Sequence, residues 1–306
     1  MQTMKDFPLV SIVMCSYNGA KYIDEQMDSL VNQTYQNLEI IVVDDKSTDH
    51  TIAKIEEWMK KDSRISLYKN EENLGYNRNF EKAISLAKGA YISLSDQDDI
   101  WCENKIEHLL SLFDQEDVVL VHARSVEFVD GKCLYPKVKL LRMFHGNDPK
   151  KLFYDNQIGG HRIMFKHKLV DRIIPIPPNM FYDWWIGVVA TCNGSINSSE
   201  SFLVKYRIHD ANSHINVPKA VKAAHIDHIE AWKCFLTIEE MKQDDKLFLK
   251  NLITVFDEHR KKKKLFDHKL FSFLFKNRKI VFANRRRLVK DFLFLKFLFY
   301  YTIVKF

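Results

Sequence analysis

The sequence predicts an α/β fold with a mainly parallel central sheet, and three observations predict it. Apolar, β-branched runs alternate with helix-spaced segments through the first half of the chain, the pattern of repeated βαβ units. Polar residues follow directly on three of those runs: Ser16, Tyr17 and Asn18; Asp44 and Asp45; Asp96, Gln97, Asp98 and Asp99. In open α/β sheets ligands bind beyond the carboxyl ends of the strands, so the three sets are expected at one edge. Finally, 306 residues that are 46% hydrophobic and 13% aromatic can bury a sizeable core.

The elements follow in order. "LVSIVMCSY" at 9–17 reads as a buried strand, followed by a turn at Gly19 and a helix over 20–33. "LEIIVVDD" at 38–45 is the second strand, and "STDHTIAKIEEWMKK" at 47–61 opens with a cap-like Ser/Thr and continues at helical spacing. "RISLYKN" is a short strand, "LGYNRNFEKAISLAKG" a helix closed by Gly89, "AYISLSD" a further strand, and "WCENKIEHLLSLF" a helix. Past residue 215 the pattern is helical with few turn signals. The expected division is 1–216 as a catalytic domain and 217–306 as a helical extension.

Composition narrows the function classes. Five scattered cysteines without a CxxC pair read as reduced thiols in a cytoplasmic protein. The start "MQTMKDFPLV" lacks the basic-then-apolar pattern of a signal peptide. Residues 259–290 carry thirteen Lys/Arg against one acid, Asp267, and "DFLFLKFLFYYTIVKF" after them is aromatic and aliphatic. Its apolar runs are too short to span a bilayer. A basic segment followed by an apolar one suits an anionic membrane surface, or a cap on the core with solvated charges. Nucleic acid is not an expected partner, since no recognition motif accompanies the charge. Neither a Walker-type phosphate loop nor a GxGxxG is present, which disfavours P-loop and Rossmann enzymes.

The acids of "SDQDDIW" pose the chemical question. Asp96, Asp98 and Asp99 repel one another unless they are protonated, hydrogen-bonded or joined by a cation. A single pair such as Asp44 and Asp45 suits a helix cap as well as a site; three strand ends with this composition point to a site.

Here the residues resemble a family. "VSIVMCSYNGAKYIDEQMDSLVNQTYQNLEIIVVDDKSTDHT" and "NLGYNRNFEKAISLAKGAYISLSDQDDIW" resemble the family 2 glycosyltransferases, inverting GT-A enzymes of bacterial polysaccharide assembly. The likeness covers about 8–215 and is strongest before 115; "SDQDDIW" and "YDWW" look most like rhamnosyltransferase-type members of O-antigen and capsule synthesis. It implies that Ser16, Tyr17, Asn18, Asp44 or Asp45, and Asp96 hold the nucleotide. Asp98 and His209 of "YRIHDAN" would ligate Mn²⁺ or Mg²⁺, oxygen-preferring ions that bridge a diphosphate. His214 is a weaker ligand candidate. Asp183 aligns with the general base, with Tyr182 where many relatives carry Glu. Asp99 would contact the donor or cap a helix starting near Trp101. Trp101, Gly160, Trp184, Trp185 and Arg207 would meet donor or acceptor, one of the paired tryptophans facing the site and one the core. His161 departs from the small residues usual beside Gly160, while His122 and His145 read as structural.

The implied reaction moves a sugar, with rhamnose from dTDP-rhamnose favoured, from a nucleotide-diphosphate donor to a lipid-diphosphate-linked glycan on the inner face of the cytoplasmic membrane. A UDP-hexose or UDP-N-acetylhexosamine donor is the alternative within the same chemistry. A catalytically silent GT-A subunit is the alternative outside it, and a nucleotidyltransferase would want a better phosphate loop than "CSYNGAKY".

Overall fold

Parallel strands flanked by helices make up the N-terminal half, as the alternation of apolar runs requires. The computed structural model describes residues 7–135, 142–178, 180–210, 227–262, 267–281 and 283. In chain order the N-terminal elements are β1 (Val10–Ser16), α1 (Ile23–Val31), β2 (Leu38–Asp44), α2 (Thr51–Lys61), β3 (Ile65–Lys69), α3 (Tyr76–Ser85), β4 (Tyr91–Ser95), β5 (Ile100–Trp101) and α4 (Lys105–Ser111). Then come β6 (Val118–Val129), β7 (Lys132–Leu134), β8 (Ile163–Lys166), α5 (Val170–Ile173), α6 (Tyr182–Asn193) and β9 (Ser195–Arg207). The C-terminal helices are α7 (His228–Phe235), α8 (Gln243–Lys262), α9 (His268–Lys276) and α10 (Arg278–Val281).

The sheet runs β3-β2-β1-β4-β8-β6-β9-β5, with β7 paired to β6. β1, β2, β3 and β4 are mutually parallel, and β6 is parallel to β9. β8 enters antiparallel between β4 and β6 and joins the two halves. β1 is almost wholly buried along its length, as a strand covered on both faces must be. One apolar layer holds Ile23, Met27, Leu30, Ile55 and Ile106 from α1, α2 and α4. The other holds Phe80, Trp184 and Trp185 with Trp232, Phe235, Leu249, Phe256, Leu270 and Leu274 from α7, α8 and α9. The C-terminal helices thus pack into the same core as α3 and α6.

Two local expectations need correction. Gly89 does not close α3, which ends at Ser85. It is small because β1 passes against it: a Cβ there would lie 2.6 Å from Ser11 N. The helix after the acids begins at Lys105 rather than near Trp101. Ile100 and Trp101 pair antiparallel with Lys205 and Val204 instead. That short pairing positions the site, because it lays the end of β9 beside the acidic turn after β4.

Candidate active site

The parallel register of β1, β2 and β4 brings their carboxyl ends to one edge, and the β5–β9 pairing adds Arg207 and His209. His209 Nε2 lies 2.8 Å from Asp98 Oδ2 across a sequence separation of 111 residues. Arg207 donates through its backbone N–H to Asp99 Oδ1 at 3.1 Å and through Nε to Asp98 O at 2.8 Å. Its Nη2 reaches Glu25 of α1 at 2.9 Å, so its guanidinium ties the acidic turn to that helix. Asp99 is fully buried and its Oδ2 has no hydrogen-bond partner; it caps no helix.

Asp96, Asp99 and His161 place ligand atoms within 4.8 Å of one another. Desolvation together with Asp98 and Asp183 pushes Asp96 up to about 7, and desolvation with Asp96 and Asp98 pushes Asp99 well above the carboxylate range. Protonation or a shared cation relieves such crowding. The orphaned Asp99 oxygen and the Asp98–His209 pair supply hard oxygens and imidazole nitrogen, a donor set that fits Mn²⁺ or Mg²⁺.

The nucleotide-side residues divide. Tyr17 is 47% exposed and Asn18 sits at φ 47° with its side-chain oxygen accepting from Thr48 N. Asp44, in contrast, is fully buried and accepts from Ser16 Oγ, Ser47 Oγ and Ser47 N. Asp45 is 4% exposed and accepts from Asn70, Leu74 N and Gly75 N. Both carboxylates, and Ser16 with them, are occupied in shaping the loops after β1 and β2. The Tyr17–Asn18 turn is what remains exposed at this edge.

Asp183 stands in the first turn of α6, where the helix dipole favours an anion. It accepts from Asn156 Nδ2 at 2.9 Å, Gly160 N at 3.1 Å and Trp184 N at 2.7 Å. Burial raises its pKa, while those three donors and Arg162 pull it back. Gly160 is obligatory, since a Cβ there would lie 2.1 Å from the Tyr182 hydroxyl; Tyr182 in turn stacks on Phe80 at 4.3 Å.

The tryptophans do not behave as expected. Trp184 and Trp185 are 3% and 6% exposed, and both indole N–H groups donate to backbone carbonyls, Leu152 O and Ile173 O. Trp184 packs against Phe235 of α7, and Trp185 lines a cleft with Pro175, Ile176 and Ile238 that includes none of the acids after β4. Trp101 is 3% exposed, with the Lys105 ammonium 3.0 Å from its ring centroid, and borders a cleft with Glu25, Asn32 and Lys205. His122 is buried, bonds Phe144 O and is held neutral, pushed by burial down to about 3; His145 lies exposed. His214 falls outside the described residues.

Lys105 and Arg162 escaped sequence reasoning, as did what Gln97 binds. Gln97, between the acids, accepts from Tyr17 N and donates to Tyr17 O, both at 2.9 Å. Lys105 is wholly buried, donates to His161 O at 2.8 Å and counters the field of Asp99 and Asp96. Arg162 lies beside Asp183. Only the Gly159-Gly160 pair hinted at the last, by marking a close approach.

Residues 11–173 match the family model described as Glycosyl transferase family 2. A protein of Haemophilus influenzae named "Uncharacterized glycosyltransferase" is 31% identical over 221 residues, 67% of either chain. The Escherichia coli UDP-Glc:alpha-D-GlcNAc-diphosphoundecaprenol beta-1,3-glucosyltransferase WfgD is 29% identical over 225 residues, 72% of this chain and 84% of its own. S. aureus TarS 1-349 in complex with UDP-GlcNAc superposes with a TM-score of 0.62 at 18% identity, covering 89% of this chain and 81% of that one. The mannosyltransferase PcManGT from Pyrobaculum calidifontis, in complex with GDP-Man and Mn²⁺, gives 0.58 at 17%, covering 79% and 68%. At such identities the two structures speak to the fold.

Proposed function

Since this chain belongs to glycosyl transferase family 2 and is therefore a nucleotide-sugar glycosyltransferase, we propose that it inverts the donor's anomeric centre in one displacement with Asp183 as general base. The observation that carries this reading is the carboxylate held by Asn156, Gly160 N and Trp184 N at the helix start. Its unused lone pairs accept the proton of an acceptor hydroxyl as that oxygen attacks the anomeric carbon. The sugar–diphosphate C–O bond breaks on the opposite face, with no covalent enzyme intermediate. Asp98 and His209, with Asp96, Asp99 and His161 alongside, would hold Mn²⁺ or Mg²⁺. When bound, that ion neutralises charge on the leaving diphosphate. The exposed Tyr17–Asn18 turn, locked by Gln97, offers a platform for the nucleotide.

The motif likeness favours dTDP-rhamnose as donor. The E. coli relative is named for UDP-Glc, which makes a UDP-hexose or UDP-N-acetylhexosamine the second reading. Its acceptor is a diphosphoundecaprenol glycan, in keeping with a lipid-diphosphate-linked acceptor here, presented at the cytoplasmic face of a membrane. No helix among the described residues is long and apolar enough to cross a membrane; the basic, aromatic C-terminal sequence suits a surface instead.

A panel of dTDP-, UDP- and GDP-sugars, with and without Mn²⁺, tests the proposal by calorimetry and donor hydrolysis. Metal-dependent selection of one donor is expected. Asp183→Asn should bind that donor normally yet turn over about 10³-fold more slowly, within the range for loss of a positioned base. A folded chain that binds no nucleotide sugar sinks the reading in favour of a silent subunit.

A further inference from the structure

The loop of residues 156–162 runs beneath Asp183, and its last side chain turns back along it. Arg162 donates through Nη2 to Gln157 O at 3.1 Å and through its backbone N–H to Gly159 O at 3.0 Å. Its guanidinium lies so close to Gly159 that a Cβ there would come within 2.7 Å of Nε. That Nε is buried without a hydrogen-bond partner. The loop is thus closed on itself by one arginine, and two of its members, Asn156 and Gly160, are the donors that aim Asp183. A third bond, Ile158 N to Asn156 Oδ1 at 3.0 Å, fixes the Asn156 amide in its orientation.

We propose that Arg162 is the positioning residue of the general base: it pins the 156–162 loop whose Asn156 side chain and Gly160 N–H aim the Asp183 carboxylate. This rests on Asp183 being the base. Burying a guanidinium is costly unless an anion offsets it, and the carboxylate whose field favours its charge is Asp183, with Arg124 opposing. The reciprocal holds for Asp183, which burial drives toward the neutral acid and Arg162 toward the anion. Other groups facing Asp183 are Asp96 beyond β4, Tyr76 on α3 and Tyr182 on α6. None of these is a cation. Behind Arg162, Arg124 and the neutral His122 stand on β6. Gly159 has its own reason in this arrangement, which is to leave room for the guanidinium.

Removing Arg162 takes away a cause that lowers the pKa of Asp183, so the group must rise further and the base form must appear only at higher pH. The acidic limb of the transfer rate should therefore move up. The test uses the full chain labelled with ¹³Cγ-aspartate, the Asp183 resonance being assigned by its loss in Asp183→Asn. In Arg162→Met its midpoint should move upward, and in Arg162→Lys it should move less. Donor turnover of Arg162→Met should fall about tenfold or more at pH 6 and recover toward pH 9, the effect of losing a nearby opposite charge. Donor affinity by calorimetry should not change. Gly159→Ala, which displaces the guanidinium without removing it, serves if Arg162→Met fails to fold, and should shift the midpoint in the same direction. An Asp183 midpoint that stays put in Arg162→Met, or in Gly159→Ala where that is the folded variant, overturns the proposal. A wild-type chain that neither binds nor turns over any donor fails the transferase reading separately, since the carboxyl titration does not depend on activity.

Discussion

A single glycine in the turn after β1 shows how the acidic motif is tied to the proposed nucleotide side of the site. Gly19 leaves room for Gln97, whose amide bonds both backbone groups of Tyr17. A Cβ at position 19 would lie 2.1 Å from Gln97 Oε1, so Gly19→Ala must swing that amide away. The expected cost is about 1–2 kcal/mol, that of two intramolecular hydrogen bonds, together with weaker donor binding. In a Gln97→Ala background the same substitution should cost little, so a double-mutant cycle in urea unfolding should show strong coupling; additive costs would refute the link. The density of Asp96, Asp98 and Asp99 pointed to a site and the family likeness put His209 with them; the structure brings His209 Nε2 to 2.8 Å from Asp98 Oδ2. The sequence alone could not separate Asp44 and Asp45 from those acids. A carboxylate that organises a loop and one that meets a ligand look alike until their donors are seen, here Ser16, Ser47, Asn70, Leu74 and Gly75.

At the scale of elements, helix α6 carries both Asp183, the proposed base, and the tryptophans, and its surroundings decide which of them are covered. The order of strands and helices through α3 was legible because the period of apolar residues changes at each boundary. The two-residue strand β5 was not, being too short to have a period; its pairing with β9 is a long-range event that moved the start of α4 to Lys105. The fate of Trp184 and Trp185 also depends on distant residues. Phe235 of α7 lies 5.3 Å from the Trp184 ring and 6.4 Å from that of Trp185. Trp184→Phe should therefore lower stability by about 1–3 kcal/mol through lost volume and an unpaired Leu152 carbonyl, with donor KM unchanged. Urea unfolding beside acceptor kinetics checks this. Unaltered stability with altered acceptor choice would restore the role first expected of the indole.

For the whole molecule, the question is how a chain without a membrane-crossing helix among its described residues would reach the lipid-linked acceptor proposed for it. Helices α8, α9 and α10 are bound to the catalytic core: Leu249, Leu252, Leu270 and Leu274 are wholly buried and Val281 is 4% exposed. Their outer side carries Lys261 and Lys269, and Phe275 is 48% exposed beneath the Arg278 guanidinium. The sequence then continues through residues 284–306 with six Lys/Arg, one acid and seven aromatic residues. These lie outside the described residues. A cut near residue 258 would break α8 and strip Leu270 and Leu274 from the core, so loss of membrane binding there would say nothing about the surface. A cut after residue 283 leaves that packing whole. Basic residues near an anionic surface are worth about 1 kcal/mol each, and aromatic burial adds to that. The chain ending at 283 should therefore bind phosphatidylglycerol vesicles at least about tenfold more weakly than the full chain, a difference that shrinks in high salt. Its thermal midpoint and its donor hydrolysis in solution should be unchanged. Equal sedimentation of both chains with the vesicles would mean that residues 284–306 do not provide the membrane contact, and would shift attention to the exposed Phe275 face.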